Sequence, residues 1–301
     1  METNYLKGIG VALVTPFCED GSVDLEALND HVKFQIDGNV GFMVPCGTTG
    51  ESATLSIEEH SIVVRETANA AQGKVPILAG AGGNNTADVI LRARAVKEAG
   101  ANAIVSVSPA YNKPSQRGIV EHYRALAAAV ECPIVVYNVP GRTSSNILPE
   151  TLMSLAEIDN IVGVKEASSN ISQIMTIIKE RPQGFLVLSG DDYLTLPLIA
   201  AGADGVISVV ANEAPGLMSS MVSAALREDY KEARELHYRL LPLMKANFIE
   251  TNPIPVKAAL AMMGRMEARY RLPLVPLDTA NEPSIRQALV ESGILEPRVA
   301  G

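Results

Sequence analysis

Eight short apolar runs, rich in β-branched residues and each followed by turn residues, recur along the first two thirds of the chain. They occupy residues 8–17, 41–46, 75–82, 103–110, 133–140, 161–168, 185–192 and 205–212. Their starts are about 28 residues apart on average, close to the roughly 30 residues of a strand plus a crossover helix. Because runs that are apolar on both faces are typical of parallel strands covered by helices, the pattern predicts eight strand–helix units in series.

The segments between the runs carry helix signals. Ser56 and Glu59 form a capping box, and Asn170 is a candidate N-cap for the segment ISQIMTIIKE. Gly100 follows the segment ADVILRARAVKEA in the position of a C-terminal stop. Strand patterns cease after about residue 214, and helical segments follow.

The number of units favours one closed architecture. Eight near-equal units predict an α/β fold, a (β/α)8 TIM barrel, whereas the alternative, a doubly wound open sheet, requires no particular strand count. We expect the barrel, with its catalytic site, in residues 1–225. Residues 226–301 are expected to form a C-terminal helical extension packed on the barrel.

Composition and charge exclude several classes of protein. The chain has 25 Lys and Arg against 34 Asp and Glu and no basic block, which argues against a nucleic-acid partner. No apolar run approaches the roughly 18 residues needed to span a bilayer, and the first residues lack a signal-peptide pattern. Cys18, Cys46 and Cys132 form neither a disulfide framework nor a C-x-x-C metal motif. We therefore expect a soluble cytoplasmic protein with no membrane or nucleic-acid partner.

The most informative candidate residue is Lys165, which lies within the sixth run in the sequence VGVKE. In a closed barrel the active site forms at the carboxyl ends of the strands. Burial there disfavours the charged form of an amine and lowers its pKa, and a neutral amine is the nucleophile that forms an imine with a carbonyl substrate. The alternative is a lysine at a strand end that reaches solvent or pairs with Glu166.

Other polar residues follow the second and fifth runs. Tyr137 lies in the fifth run, and Arg142, just beyond it, presents a planar fork that can hold a carboxylate. After the second run, the motif GTTGE combines backbone N–H groups with the hydroxyls of Thr48 and Thr49, which suits an anionic group. The structural alternatives are a core tyrosine, a surface arginine and an ordinary tight turn.

The loop after the fourth run contains Tyr111 between two prolines and could present it at the strand ends. The alternative is a tyrosine that packs on a neighbouring loop.

The motif GAGGNN resembles a dinucleotide fingerprint, but Asn85 occupies its third glycine position. Asp191 and Asp192 without a third ligand indicate helix capping rather than a metal site. We therefore expect no metal and no cofactor, and imine chemistry on an oxo-acid.

These motifs together resemble the dihydrodipicolinate synthase / N-acetylneuraminate lyase family of pyruvate-dependent class I aldolases. The resemblance extends from GIGVALVTPF near the start to NPIPVKAAL at residues 252–260. Between them, GTTGE, SPAYNKPSQ, YNVPGRT, VGVKEAS, LSGDD and GVISV occur in the family's order and at its spacing. The motif YNVPGRT, with Arg142 as its arginine, resembles the form found in the synthase branch. The sialic acid lyases typically lack this arginine.

The resemblance implies a role for each of these residues. Lys165 would form the imine with pyruvate, and Arg142 would hold the carboxylate of aspartate-4-semialdehyde, in lysine and diaminopimelate biosynthesis. The implied proton relay is Thr48, Tyr137 and Tyr111, and the implied pyruvate-site residues are Thr49, Gly190 and Ile207. Tyr111 would reach into a neighbouring subunit's site, which implies a homotetramer of two dimers. The alternatives are a sister lyase for sialic acid or 2-keto-3-deoxy sugar acids, and a non-catalytic ligand-binding barrel.

Regulation by lysine is where the chain departs from the family pattern. The positions that match the feedback site of regulated relatives are Ser52, Ala53, His60 and Asn84. Relatives carry an aromatic residue at Ala110, often histidine at Ile57 and often glutamate at Asp88. Because the missing aromatic removes an apolar wall and a stack between subunits, we expect activity to stay constant up to high lysine concentrations in a steady-state assay. Strong inhibition would contradict this expectation.

Overall fold

Eight parallel strands form the centre of the molecule, which the computed structural model describes for residues 3–297. They are β1 (Gly8–Ala12), β2 (Phe42–Val44), β3 (Leu78–Gly80), β4 (Ala103–Val107), β5 (Ile134–Asn138), β6 (Ile161–Glu166), β7 (Leu186–Ser189) and β8 (Gly205–Ser208). Each strand lies within one of the eight predicted runs. The strands pair in the order β2-β1-β8-β7-β6-β5-β4-β3, and a parallel bridge between Met43 and Ile77 joins β2 to β3. The predicted (β/α)8 barrel is confirmed.

Helices alternate with the strands. Those of the barrel are α1 (Leu25–Asp37), α2 (Ile57–Ala71), α3 (Thr86–Glu98), α4 (Gln116–Ala129), α5 (Pro140–Thr143), α6 (Pro149–Ala156), α7 (Ile171–Glu180), α8 (Thr195–Ala200) and α9 (Pro215–Leu226). The C-terminal helical region contains α10 (Tyr230–Ala246), α11 (Ile254–Met262) and α12 (Glu282–Glu291). Within residues 3–297, no helix combines the length and the apolar character needed to cross a bilayer.

The predicted helix ends are present. The Ser56 hydroxyl accepts a hydrogen bond from the N–H of Glu59, whose carboxylate accepts from the N–H of Ser56, so α2 begins with a capping box. The side chain of Asn170 accepts from the N–H of Gln173 and caps α7. Gly100 follows α3 with a φ of +110°, a conformation that favours glycine.

Two apolar layers hold the barrel together. One fills its interior with side chains that include Phe42, Val105, Val135, Leu188 and Ile207, and the other lies between the strands and the helices. Gly10 lies in the interior layer, because a Cβ atom there would come within 2.1 Å of the Phe42 ring. The glycine therefore leaves room for the phenylalanine that packs the barrel.

A third apolar cluster determines where the C-terminal region sits. Val14 and Val209 lie just beyond the carboxyl ends of β1 and β8, and they pack against Val256 and Leu260 of α11 and against Met266. This contact brings α11 to the end of the barrel where the predicted site residues lie. The C-terminal region is therefore positioned to take part in the site.

Candidate active site

A cavity of about 430 Å³ lies at the carboxyl ends of the strands. The strands and the loops that follow them supply most of its walls, and the C-terminal region contributes Thr251, Asn252, Pro253, Pro273 and Leu274. The predicted site residues that line the cavity are Thr48, Ser52, Ala53, Asn84, Tyr137, Arg142 and Lys165. The structure thus brings together seven residues that are distributed over more than a hundred positions of the sequence.

The amine of Lys165 is the chemical centre of the cavity. Lys165 pairs in register with Tyr137 on the adjacent strand, and its Nζ lies 4.3 Å from the centre of the tyrosine ring. Burial lowers the pKa of Lys165 to about 8, although the nearby carboxylates of Asp191 and Asp192 oppose the fall. Relative to an ordinary lysine, this pKa raises the neutral fraction at pH 7 by roughly 300-fold. The arrangement suits an amine nucleophile.

The structure answers the question of whether Lys165 pairs with Glu166. Glu166 is buried, and its carboxylate accepts hydrogen bonds from the side chain of Asn138 and from the N–H of Ser168. Burial also raises the pKa of Glu166. Because successive side chains of a strand point to opposite faces, Glu166 faces away from the amine and the barrel interior. The amine of Lys165 therefore does not pair with Glu166, and Lys165 lines the cavity.

The hydroxyl of Tyr137 stays protonated at neutral pH. Burial raises its pKa to about 12, while the charge of Arg142 and the hydroxyl of Thr48 act in the opposite direction. A protonated phenol beside a neutral amine can donate a proton to a developing oxyanion or leaving hydroxyl. The cavity thus combines an amine of lowered pKa with a protonated phenol.

The Thr48–Thr49 turn is held by contacts on both sides. The Thr15 hydroxyl donates to the carbonyl of Gly50 over 2.7 Å, and the Thr49 hydroxyl accepts from the side chain of Asn252 over 2.9 Å. Gly80 allows the turn to approach β3, because a Cβ atom there would lie 2.0 Å from the carbonyl oxygen of Cys46. The hydrogen bond between Asn252 and Thr49 joins residues that are 203 positions apart in the sequence.

A buried ion pair ties the same turn to α11. Lys257 Nζ lies 2.6 Å from Glu51 Oε1, and both side chains are fully buried. The amine also donates to the carbonyl of Thr15 over 2.9 Å and lies 4.4 Å from the centre of the Phe17 ring. The backbone N–H of Arg271 donates to the second oxygen of Glu51. The turn and the C-terminal region therefore form one unit around two buried charges.

Sequence reasoning missed Glu51, Lys257 and Asn252 as site-forming residues. A signal was present, because Lys257 interrupts the apolar segment IPVKAAL of a helix that is buried almost all round. Glu51 follows the two threonines and Gly50 in the motif GTTGE. Asn252 contributes twice, since its backbone carbonyl also lies 3.5 Å from Nη2 of Arg142.

The other predicted residues do not line the cavity themselves; they are Thr49, His60, Tyr111, Gly190 and Ile207. A Cβ atom on Gly190 would lie 3.3 Å from Cε of Lys165, and Ile207 belongs to the apolar interior of the barrel. His60 is buried behind Ser52, with its Nε2 3.3 Å from the serine hydroxyl. Tyr111 lies apart from these residues, 88% exposed on its loop and with a φ of +69°.

The capping role predicted for Asp191 and Asp192 is wrong. Asp192 is buried, and its carboxylate accepts from the N–H groups of Val209 and Val210 in the next loop. Asp191 accepts from the hydroxyl of Ser169. Both carboxylates therefore connect neighbouring loops near Lys165 instead of capping their own helix. In the described part of the chain, no group of three or more acidic, histidine or cysteine side chains could hold a metal ion.

A closed (β/α)8 barrel with an amine of lowered pKa and a tyrosine hydroxyl in a cavity at the strand ends defines an enzyme of the amine-nucleophile class. Comparison with known proteins agrees with this. The model of the dihydrodipicolinate synthetase family matches residues 5–292. The chain belongs to the dihydrodipicolinate synthetase family.

Individual relatives are similar over almost their whole length. A 4-hydroxy-tetrahydrodipicolinate synthase from Koribacter versatilis is 51% identical over 292 residues, which cover 97% of each chain. The crystal structure of dihydrodipicolinate synthase from Aquifex aeolicus is 45% identical, with a TM-score of 0.93 over 96% of this chain and 98% of that one. The chloride-inhibited enzyme from Acinetobacter baumannii, complexed with pyruvate, is 42% identical, with a TM-score of 0.94 over 96% and 99% of the two chains.

The buried ion pair gives a quantitative prediction. Lys257→Met leaves the Glu51 carboxylate buried without its partner, and we expect it to lower the free energy of unfolding by about 3–5 kcal/mol. The double variant Glu51→Gln/Lys257→Met removes both charges and is expected to lose less than the single variant, as measured by chemical denaturation. If the loss of stability in the double variant equals the sum of the losses in Glu51→Gln and Lys257→Met, the two charges do not depend on each other.

Proposed function

We propose that this chain catalyses the 4-hydroxy-tetrahydrodipicolinate synthase reaction, the condensation of pyruvate with L-aspartate-4-semialdehyde in lysine and diaminopimelate biosynthesis. The observation that carries the proposal is the Lys165 amine, whose pKa burial lowers to about 8, over the ring of Tyr137 in the cavity at the strand ends. Relatives that are about half identical carry this enzyme name, and one solved relative was complexed with pyruvate.

The first half of the reaction uses the neutral amine. The nitrogen of Lys165 attacks the keto carbon of pyruvate, a C–N bond forms, and the carbonyl oxygen leaves as water after it takes up protons. Tyr137, whose ring centre lies 4.3 Å from the amine, is the proposed donor of a proton to that oxygen. The imine then acts as an electron sink, so that loss of a proton from the pyruvate methyl group gives an enamine.

The second half forms the carbon–carbon bond. The enamine carbon attacks the aldehyde carbon of the semialdehyde, whose oxygen takes up a proton and becomes a hydroxyl. The amino group of the semialdehyde then attacks the former keto carbon and displaces the Lys165 nitrogen, which closes the ring and frees the enzyme. Tyr137, Thr48 and Tyr111 are the proposed relay that moves protons between the site and solvent.

The two carboxylates require separate anchors. For pyruvate, the proposed anchor is the turn that contains Thr49, with Gly190 and Ile207 as neighbours of the imine. For the semialdehyde, it is Arg142, which lines the cavity and whose guanidinium forms bidentate pairs with carboxylates. The small Gly190 leaves space beside the Lys165 stem, where a side chain would crowd the imine.

We further propose that the enzyme works as a cytoplasmic homotetramer, a dimer of dimers. Tyr111 and Leu272 are 88% and 80% exposed, so both side chains are accessible to a neighbouring subunit, as the family resemblance implies for Tyr111. The three cysteines, of which Cys46 and Cys132 are buried, are free thiols, which suits a reducing compartment. Light scattering measures the molar mass in solution, and a value near 32.0 kDa, the mass of one chain, would contradict the proposed tetramer.

Borohydride trapping tests the chemistry. Reduction in the presence of pyruvate is expected to fix a pyruvyl adduct on Lys165, located by peptide mass mapping, and Lys165→Met should give no adduct. Because only the neutral amine reacts, the initial rate of imine formation should rise about tenfold per pH unit below pH 8 and level off above it. Lys179→Met, which removes an exposed lysine from α7, is the matched control.

The same assay separates the proposed activity from that of a sister lyase. Arg142→Ala should still form the pyruvate adduct on Lys165, whereas condensation with aspartate-4-semialdehyde should fall by at least about tenfold. If the unmodified enzyme prefers sugar aldehydes, or if Arg142→Ala condenses the semialdehyde normally, the substrate assignment fails while the imine chemistry stands. Absence of any adduct at saturating pyruvate would overturn both.

A further inference from the structure

The last rung that joins β5 to β6 is held by side chains as well as by the backbone. Asn138 pairs in register with Glu166, one position beyond the pair of Tyr137 with Lys165. The Asn138 side-chain nitrogen lies 3.3 and 3.1 Å from the two carboxylate oxygens of Glu166. Both side chains are 1% exposed. The amine of Lys165 thus lies next to a buried polar contact on the opposite face of the same two strands.

The orientation of the Asn138 amide is fixed by its neighbours. Its oxygen accepts from the backbone N–H of Ile147 over 3.0 Å, so its nitrogen and two hydrogens face other acceptors. These acceptors are Glu166 and the side-chain oxygen of Asn146, which lies 2.9 Å from the Asn138 nitrogen. The Asn146 amide donates in turn to the side chain of Gln173 on α7 over 2.8 Å. We call the side chains of Asn138, Asn146, Glu166 and Gln173 the Glu166 network.

Glu166 accepts from two separate segments of the chain. The Ser168 N–H donates to its Oε1 over 2.7 Å, while Asn138 donates from the neighbouring strand. A carboxylate offers two acceptor oxygens and no donor, whereas a glutamine offers one oxygen and an N–H group. Across residues 3–297, no lysine, arginine or histidine nitrogen lies within 4.0 Å of this carboxylate. Its contacts are therefore hydrogen bonds from neutral donors.

The network also reaches the loop that carries Arg142. Arg142 lies on α5, and Asn146 and Ile147 lie between α5 and α6 in contact with Asn138. Asn138 is therefore bound to Glu166 on the next strand and to the loop that follows its own strand. Through Asn138, the carboxylate of Glu166 connects the strand of the amine with the loop of the proposed carboxylate anchor.

We propose that Glu166 is a positioning residue of the active site, which holds the end of the Lys165 strand and, through Asn138, the loop of Arg142. The inference rests on the proposed function, because the positioned groups are its nucleophile and one of its anchors. Glu166 faces away from the cavity and does not touch the substrate. It acts by keeping the strand end in the sheet, where the Lys165 amine is shielded from water and its pKa is low.

Borohydride trapping of the pyruvate adduct over a range of pH tests the contact at β6. In Glu166→Gln the side chain keeps its length but has one acceptor oxygen for two donors, so the strand end loosens and water reaches the amine. We expect the midpoint of the trapping rate to rise from about pH 8 by about one pH unit, which slows trapping at pH 7 roughly tenfold. Glu166→Asp keeps a carboxylate and should shift the midpoint less. Glu180→Gln, at the exposed end of α7, is the matched control and should trap like the unmodified enzyme.

Asn146→Ala tests the contact with the Arg142 loop separately. The variant leaves Glu166 paired with Asn138, so the trapping midpoint should stay near pH 8. Because the loop of Arg142 loses a side-chain contact, KM for aspartate-4-semialdehyde should rise at least about threefold with little change in kcat.

The outcomes separate this inference from the proposed function. Absence of an adduct in the unmodified enzyme would overturn both. An adduct in the unmodified enzyme, with the same midpoint and rate in Glu166→Gln protein that thermal unfolding shows to be folded, would overturn the positioning role alone. An unchanged KM in Asn146→Ala would overturn the link to Arg142, and this variant of a half-buried side chain keeps the test available if Glu166→Gln does not fold.

Discussion

The pairing of Glu51 with Lys257 is the interaction on which the arrangement of the cavity depends. Removing two charges from water costs several kcal/mol for each ion, and a short contact alone does not guarantee recovery of that cost. Here the carbonyl of Thr15, the ring of Phe17 and the backbone N–H of Arg271 add further contacts around the pair. These contacts join the threonine turn to α11 and to the segment that contains Arg271.

The cavity is assembled from parts with different requirements. Lys165 and Tyr137 need only the pairing of β5 with β6, and the barrel supplies that pairing by itself. Thr49 and Arg142 also contact Asn252, so the anchoring side of the cavity needs the C-terminal region as well. The proposed nucleophile thus belongs to the most regular part of the fold, and the proposed substrate anchors belong to the contact between barrel and helices.

How much the sequence predicts depends on the range of the interaction. The eight strands were predictable because strands buried on both faces leave uninterrupted apolar runs. Four of the residues that line the cavity were predictable because the active sites of such barrels lie at the strand ends. They are Thr48, Tyr137, Arg142 and Lys165. The pairing of Glu51 with Lys257, 206 positions away, leaves no local pattern. Asp192 was misassigned because its carboxylate binds the N–H groups of another loop.

The contact between the threonine turn and α11 also sets an order of events during synthesis. The last strand ends at Ser208, so the barrel can close before Lys257 and Arg271 have been added to the chain. At roughly 5–20 residues per second, the ribosome needs several more seconds to supply them. A barrel closed at that stage would hold the amine of Lys165, whereas its threonine turn would still lack Lys257, the ion-pair partner of Glu51. The proposed nucleophile and the proposed substrate anchors would then reach their final positions at different times.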